Sequence, residues 1–236
     1  MKTKLARKRF ILIVSALTLV IVLAVVFGVL TGTGVFTENG SLYRRTYGKK
    51  DFYKYYLEGN NVPGTYAVMT FDVGVETFDI EIYLNEKTSP ITVANFVKYA
   101  ESGFYDGTII HRVVKNAGTF QGGTYVAKND VKPNSEAPIV GEFKSNPLHD
   151  YSYNDMTHAK GVISMARTSA VNSATSGFFI CCKDYPAWDG DYAAFGFITN
   201  DEDIEKICKV FDETITDSKD FPVSAITLKS VKIIKK

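Results

Sequence analysis

Residues 103–123 read GFYDGTIIHRVVKNAGTFQGG, and no other stretch limits the possible folds of this 236-residue chain so tightly. A glycine-flanked turn, Tyr105-Asp106-Gly107, feeds a β-branched run, Thr108-Ile109-Ile110-His111-Arg112-Val113-Val114. Branching at Cβ stiffens the side chain and suits the pleated, half-buried surface of a strand. Period-two alternation puts Ile110, Arg112 and Val114 on one face and Ile109, His111 and Val113 on the other. A guanidinium is therefore expected among aliphatic neighbours, where it needs acceptors or a ligand. Downstream, Gln121 offers an amide, and Gly122-Gly123 lets backbone come close.

Other segments extend the β pattern. YAVMTFDV and FDIEIYL, at 66–73 and 78–84, are separated by a glycine-containing turn and read as an antiparallel hairpin. Further strands are expected at 161–166, 177–182, 193–198 and 225–234. Ser89-Pro90 starts a helix, with Ser as N-cap and Pro in the first turn. Val93, Phe96, Val97 and Ala100 then form its core-facing stripe, and Gly103 closes it. A second helix is expected at 201–210, acidic at its start as the dipole favours. Many short strands with two helices predict a mainly β chain closed into a barrel.

The N-terminal region differs in character. Residues 10–30 carry no charge, and as a helix their 21 residues would span about 32 Å, close to the hydrocarbon core of a bilayer. Lys2, Lys4, Arg7, Lys8 and Arg9 precede them, so the positive-inside rule keeps a tail at 1–9 cytoplasmic and exports the rest. An uncleaved single-pass anchor is expected. The alternative is a signal peptide cut near Gly32-Thr33-Gly34, which would release a secreted protein. Residues 31–61 read as a tether to the domain at 62–236, either a solvated linker or a short helix at 51–57 docked on the barrel. The alternative is that its mixed Tyr and Lys/Arg residues at 43–54 rest on an anionic membrane surface. Residues 1–60 hold ten Lys/Arg against three Asp/Glu, a net +7, whereas 61–236 hold seventeen against twenty-three, a net −6. An acidic main domain lacks the basic footprint that nucleic acid requires.

Cys181 and Cys182 are adjacent in an expected strand and cannot pair with each other. With Cys208 they make an odd set of buried thiols. His111, His149 and His158 have no metal-ligand spacing, and neither a P-loop nor a GxSxG motif is present. No metal site and no cofactor are expected.

Taken together, FYDGTxxHRV and QGG resemble the core signature of the cyclophilin peptidyl-prolyl isomerases. The likeness continues through TVANFVKYAESGFYDG at 92–107, GEF at 141–143, HAKGVISMAR at 158–167, SGFFI at 176–180 and WDGDYAAFG at 188–196. It runs from about Tyr66 to the C-terminus. The resemblance implies a closed eight-stranded antiparallel barrel capped by two helices, acting as a monomer on proline-containing segments of flexible polypeptides. It also implies a cofactor-free activity. Arg112 then stands where cyclophilins place the cation that stabilises the twisted imide, and Gln121 where they orient it. Phe179 matches the pocket Phe, with Phe178 turned to the core. Ala166 and Arg167 match substrate-lining backbone, and Tyr192 stands where many members carry His.

The chain departs from that pattern in three places. Gly177 replaces a usual Gln. One extra residue separates Arg112 from Gln121, so that Asn116-Ala117-Gly118-Thr119 replace an apolar pair, with Phe120 a candidate to fill the vacancy. Ala187 stands where many members carry a groove Trp, and Trp188 follows it. A proline-segment-binding module with little turnover is the competing expectation.

Overall fold

The computed structural model describes residues 62–133, 136–149, 154 and 156–236. The tail, the apolar span and the tether expected at 1–61 lie outside the described residues. Among the described residues, no helix is long and apolar enough to cross a membrane.

β1 (Thr65–Asp72) and β2 (Thr77–Leu84) form the expected antiparallel hairpin, in register from Thr65 opposite Leu84 to Asp72 opposite Thr77. Gly74 closes its turn at φ 85°, a conformation that an L side chain resists, and the Asp72 carboxylate accepts the Gly74 N–H. Along β2, Phe78, Ile80, Ile82 and Leu84 are buried while Thr77 and Asp79 face solvent, the two-residue period of a half-buried strand.

The next element is α1 (Pro90–Glu101). Ser89 is its N-cap residue, but the Ser89 hydroxyl donates to the Ala194 carbonyl at 2.8 Å and caps nothing. The orphan N–H groups of Ile91 and Thr92 are taken by the buried Glu142 carboxylate at 3.1 and 2.7 Å. A fully buried carboxylate is tolerable there because the helix start supplies both hydrogen bonds and the positive dipole end. At the other end Gly103 adopts φ 69°; its N–H meets the Ala100 carbonyl, and the Phe104 N–H meets that of Tyr99. These two bonds, with the Tyr99 and Phe104 rings 4.8 Å apart, make a Schellman closure.

The run at 108–114 does not form one strand. It divides into β3 (Thr108–Ile109) and β4 (Arg112–Val114) at a bend through Ile110 and His111. β3 pairs with β11 (Thr227–Lys235) and β6 (Tyr125–Ala127), whereas β4 pairs with β5 (Thr119–Gly122). The bend also breaks the expected alternation. Ile110 and Val113, three residues apart, both enter the core, and Arg112 turns outward with half of its side chain exposed. The arginine is thus not embedded among aliphatic neighbours.

After β7 (Asp130–Val131) come β8 (Val162–Met165), β9 (Phe178–Cys181) and β10 (Ala194–Ile198). α2 (Asp201–Glu213) follows, three residues longer than expected, with the Asn200 side chain accepting the Asp203 N–H as its cap. β11 ends the chain. All eleven strands belong to one antiparallel sheet in the order β4-β5-β9-β8-β10-β2-β1-β11-β3-β6-β7. Among the described residues a mainly β fold with two α-helices is therefore observed, but as an eleven-stranded sheet and not a closed eight-stranded barrel. The difference arises where the run expected as one strand is broken at Ile110–His111, and where the segment 119–131, outside the expected strands, forms β5, β6 and β7. Phe71, Phe96, Phe120, Phe178, Phe195 and Phe211 are fully buried and centre the core. The three cysteines are free and buried, as expected.

Candidate active site

Sheet register builds the site. Arg112 on β4 lies opposite Gln121 on β5, Gln121 opposite Phe179 on β9, and Phe179 opposite Ser164 on β8. Residues directly opposite across paired strands project from the same face. At ~4.8 Å between strands, this row runs about 14 Å from guanidinium strand to hydroxyl strand. The neighbouring row, Val113, Phe120, Ile180 and Ile163, projects from the other face into the core. Phe120 is consequently excluded from the groove. It is fully buried, 6.2 Å from the Phe71 ring, because it alternates with Gln121 on the same strand.

The insertion before Gln121 is absorbed by a turn at 115–118. Gly118 adopts φ 64° there, and its carbonyl accepts the Cys182 N–H at 2.7 Å. A Cβ on Gly118 would come within 2.8 Å of the Lys183 backbone, so the turn requires glycine. Thr119, two residues from Gln121, is buried on the groove face where the family's apolar neighbour was expected.

Phe179 occupies the outer face as expected, yet keeps only 3% of its surface exposed. It is covered by residues of the segment after β9. Trp188, at the end of a short 3-10 turn (Pro186–Trp188), meets it edge-on at 5.0 Å, and Tyr192 does so at 5.7 Å. From beneath, the buried His158 ring stacks on Phe179 at 5.9 Å. His158 joins two segments: Nδ1 lies 3.2 Å from the Asp189 carboxylate and Nε2 lies 3.0 Å from the Ser164 hydroxyl. A carboxylate only accepts, so Nδ1–H donates to Asp189 and Nε2 accepts the Ser164 O–H. Burial lowers the His158 pKa, and the Asp189 hydrogen bond and charge oppose that shift without reversing it. The order of contacts is that of a hydrolase relay, but Ser164 has no accessible surface on which an acyl group could land. The network therefore supports the aromatic floor.

Arg167 is packed between rings, its guanidinium 5.0 Å from Phe143 and 4.6 Å from Tyr192. It donates to the Asp191 carbonyl through Nε and Nη2 and to the Thr168 carbonyl through Nη1. Arg167 thus holds Tyr192 in place. Ala166, half-buried, donates its N–H to the Gly177 carbonyl at 2.9 Å and ties the ends of β8 and β9. A Cβ at Gly177 would lie 2.9 Å from the Thr124 hydroxyl, so Thr124 fills space that a longer residue there would need.

Arg112 differs most from expectation. Its guanidinium meets the Asp220 carboxylate at 3.5 Å, and Gln121 makes no hydrogen bond to it. Neither Asp220 nor the His158 network was visible in the sequence, since the partners lie 108, 31 and 6 residues apart with no motif to join them.

Residues 69–233 match the family model of the cyclophilin type peptidyl-prolyl cis-trans isomerases. This chain belongs to the cyclophilin family. It is 35% identical to the peptidyl-prolyl cis-trans isomerase A of Dickeya dadantii, over 73% of this chain and 86% of that protein. A peptidyl-prolyl cis-trans isomerase of Streptomyces antibioticus is 33% identical, over 70% of this chain and 98% of its own length. Among solved structures, a cyclophilin-type isomerase of Cryptosporidium parvum superposes with a TM-score of 0.58 at 21% identity, covering 74% of this chain and 99% of its own. The same parasite protein, crystallised in the presence of the dipeptide Ala-Pro, gives a TM-score of 0.57 at 22% identity, covering 72% of this chain and 99% of that one.

Proposed function

We propose that this cyclophilin isomerises the bonds preceding proline in unfolded or flexible polypeptides on the outer side of a membrane, anchored as a monomer by residues 10–30. The observation that carries the catalytic part is the row Arg112, Gln121 and Phe179 on one sheet face. The charge-free 21 residues and the five cations before them support the location.

Rotation about an X–Pro bond faces ~18–20 kcal/mol because amide resonance must be broken. No bond to the enzyme is required. In the twisted state the proline nitrogen becomes pyramidal and basic, and a fixed cation favours that state over the planar one. Arg112 supplies the cation, Gln121 binds substrate backbone beside it, and Phe179 is the apolar seat for the ring, flanked by Tyr192 and covered by Trp188, which the ring must displace. Ala166 and Arg167 border the seat. One charge-assisted hydrogen bond contributes ~1.5–3 kcal/mol, which is one to two decades of rate at ~1.36 kcal/mol per decade.

The test is a protease-coupled assay on the full-length chain with a proline tetrapeptide. Turnover should be robust, and Arg112→Ala should lower kcat/KM by about tenfold or more. Unchanged activity in that variant would refute the mechanism. The near-complete burial of Phe179 favours a second reading, a barrel-like module that holds proline segments with little turnover. Peptide binding without acceleration in the same assay would establish it.

A further inference from the structure

Asp220 lies on the turn that follows α2, and a set of contacts builds it into place beside Arg112. The Asp217 side chain accepts the N–H groups of Lys219 and Phe221, and Lys128 pairs with the Asp217 carboxylate at 2.7 Å. Thr216 and Pro222 bridge the base of the turn. Asp220 itself adopts φ 63°, and its carbonyl accepts the Val113 N–H at 2.8 Å, locking the turn to β4. Lys128 engages the Asp217 charge, whereas the Asp220 carboxylate, 40% exposed, faces Arg112 and solvent.

We propose that Asp220 is a specificity-determining residue, which makes this groove prefer proline segments flanked by Lys or Arg over those flanked by Glu or Asp. The inference rests on the isomerase reading, since it assumes that Arg112 turns to the bond before proline. When it does so, Asp220 loses its ion pair. A substrate bringing its own cation replaces that partner, whereas an acidic one adds repulsion a few ångströms from an unpaired carboxylate. A neutral substrate falls between the two. Asp220→Asn is the suitable variant because Asn tolerates positive φ and keeps the side-chain shape.

The experiment measures both kcat/KM and peptide affinity for proline peptides that differ only by Lys or Glu, placed on either side of the proline. Affinity is read from the intrinsic fluorescence of the single Trp. The wild type should favour Lys by roughly two- to fivefold, the range of an exposed ion pair. The preference should shrink toward unity in Asp220→Asn and, without any mutation, in about 0.5 M salt, where screening shortens the reach of the charge. Turnover without a preference, or a preference untouched by the substitution, overturns the assignment and leaves the isomerase intact. The expected binding preference without turnover keeps Asp220 and removes the isomerase. If no peptide binds or turns over, both fall.

Discussion

Trp188→Ala removes an indole whose ring centroid lies 4.5 Å from Tyr185, 5.0 Å from Phe179 and 5.7 Å from Tyr192. Aromatic pairs at these separations contribute ~0.5–1.5 kcal/mol each beyond the area they bury. The indole is only half-buried, and contributions within one cluster do not add, so a loss of about 2 kcal/mol is expected. For a domain of this size that lowers Tm by ~4–8 °C. Activity should move the other way. Phe179 is 3% exposed because Trp188 lies on it, and a proline ring must displace that edge to pack there. Sparing the substrate one aromatic pair raises kcat/KM by about two- to tenfold. Thermal unfolding by circular dichroism and the coupled assay at 10 °C, well below either Tm, measure the two effects on the same preparation. A fall of tenfold in kcat/KM with the fold retained would refute the reasoning, because the indole would then be a wall of the proline seat and not its cover.

Acidification should weaken the fold. Burial pushes the His111 pKa down to about 4, opposed by a hydrogen bond to the Ile109 backbone carbonyl and reinforced by Arg112, and His158 moves the same way. Between about pH 4 and 6.5 the unfolded chain binds more protons, so stability present at pH 7 is lost as pH falls through that window. Urea midpoints should follow this slope, and His111→Gln should flatten it; an unchanged slope counts against a neutral buried ring. Glu142→Ala leaves two helix N–H groups unpaired in the interior and should cost about 2–4 kcal/mol, read as a lower urea midpoint. A loss under 1 kcal/mol would mean that water replaces the carboxylate. Cys181 and Cys182 have raised pKa values, the first from burial and the second chiefly from its hydrogen bond with Cys208, and all three thiols are buried. An aromatic disulfide reagent should therefore titrate them only after denaturant is added; rapid reaction of the native protein would contradict that burial.

The hairpin, both helices and the strands at β8 to β11 were legible because each repeats a local rule: alternation, an apolar stripe at helical spacing, a glycine stop. Phe178 and Phe179 were also placed on their correct sides, since alternation holds in an uninterrupted strand. The site was less legible where a property depends on distant chain. Arg112 leaves the aliphatic environment because Ile110 and His111 bend between two different sets of partner strands, and nothing in a β-branched run marks a bend. Phe120 was offered to the groove on motif spacing, but its alternation with Gln121 sends it to the core. Glu142 replaces Ser89 as the cap of α1 across about fifty residues, and Asp220 reaches Arg112 across 108. Such pairings are properties of the folded topology, which no local window of sequence contains.

Glu142 and Phe143 are consecutive, and they face different tasks. One satisfies the start of α1; the other lies against the Arg167 guanidinium that steadies Tyr192. The rim of the groove is therefore fastened to a helix end through a single peptide unit. Its order is acquired when the domain folds, so an arriving polypeptide does not have to freeze Tyr192 and Arg167 itself, and its association loses correspondingly less entropy.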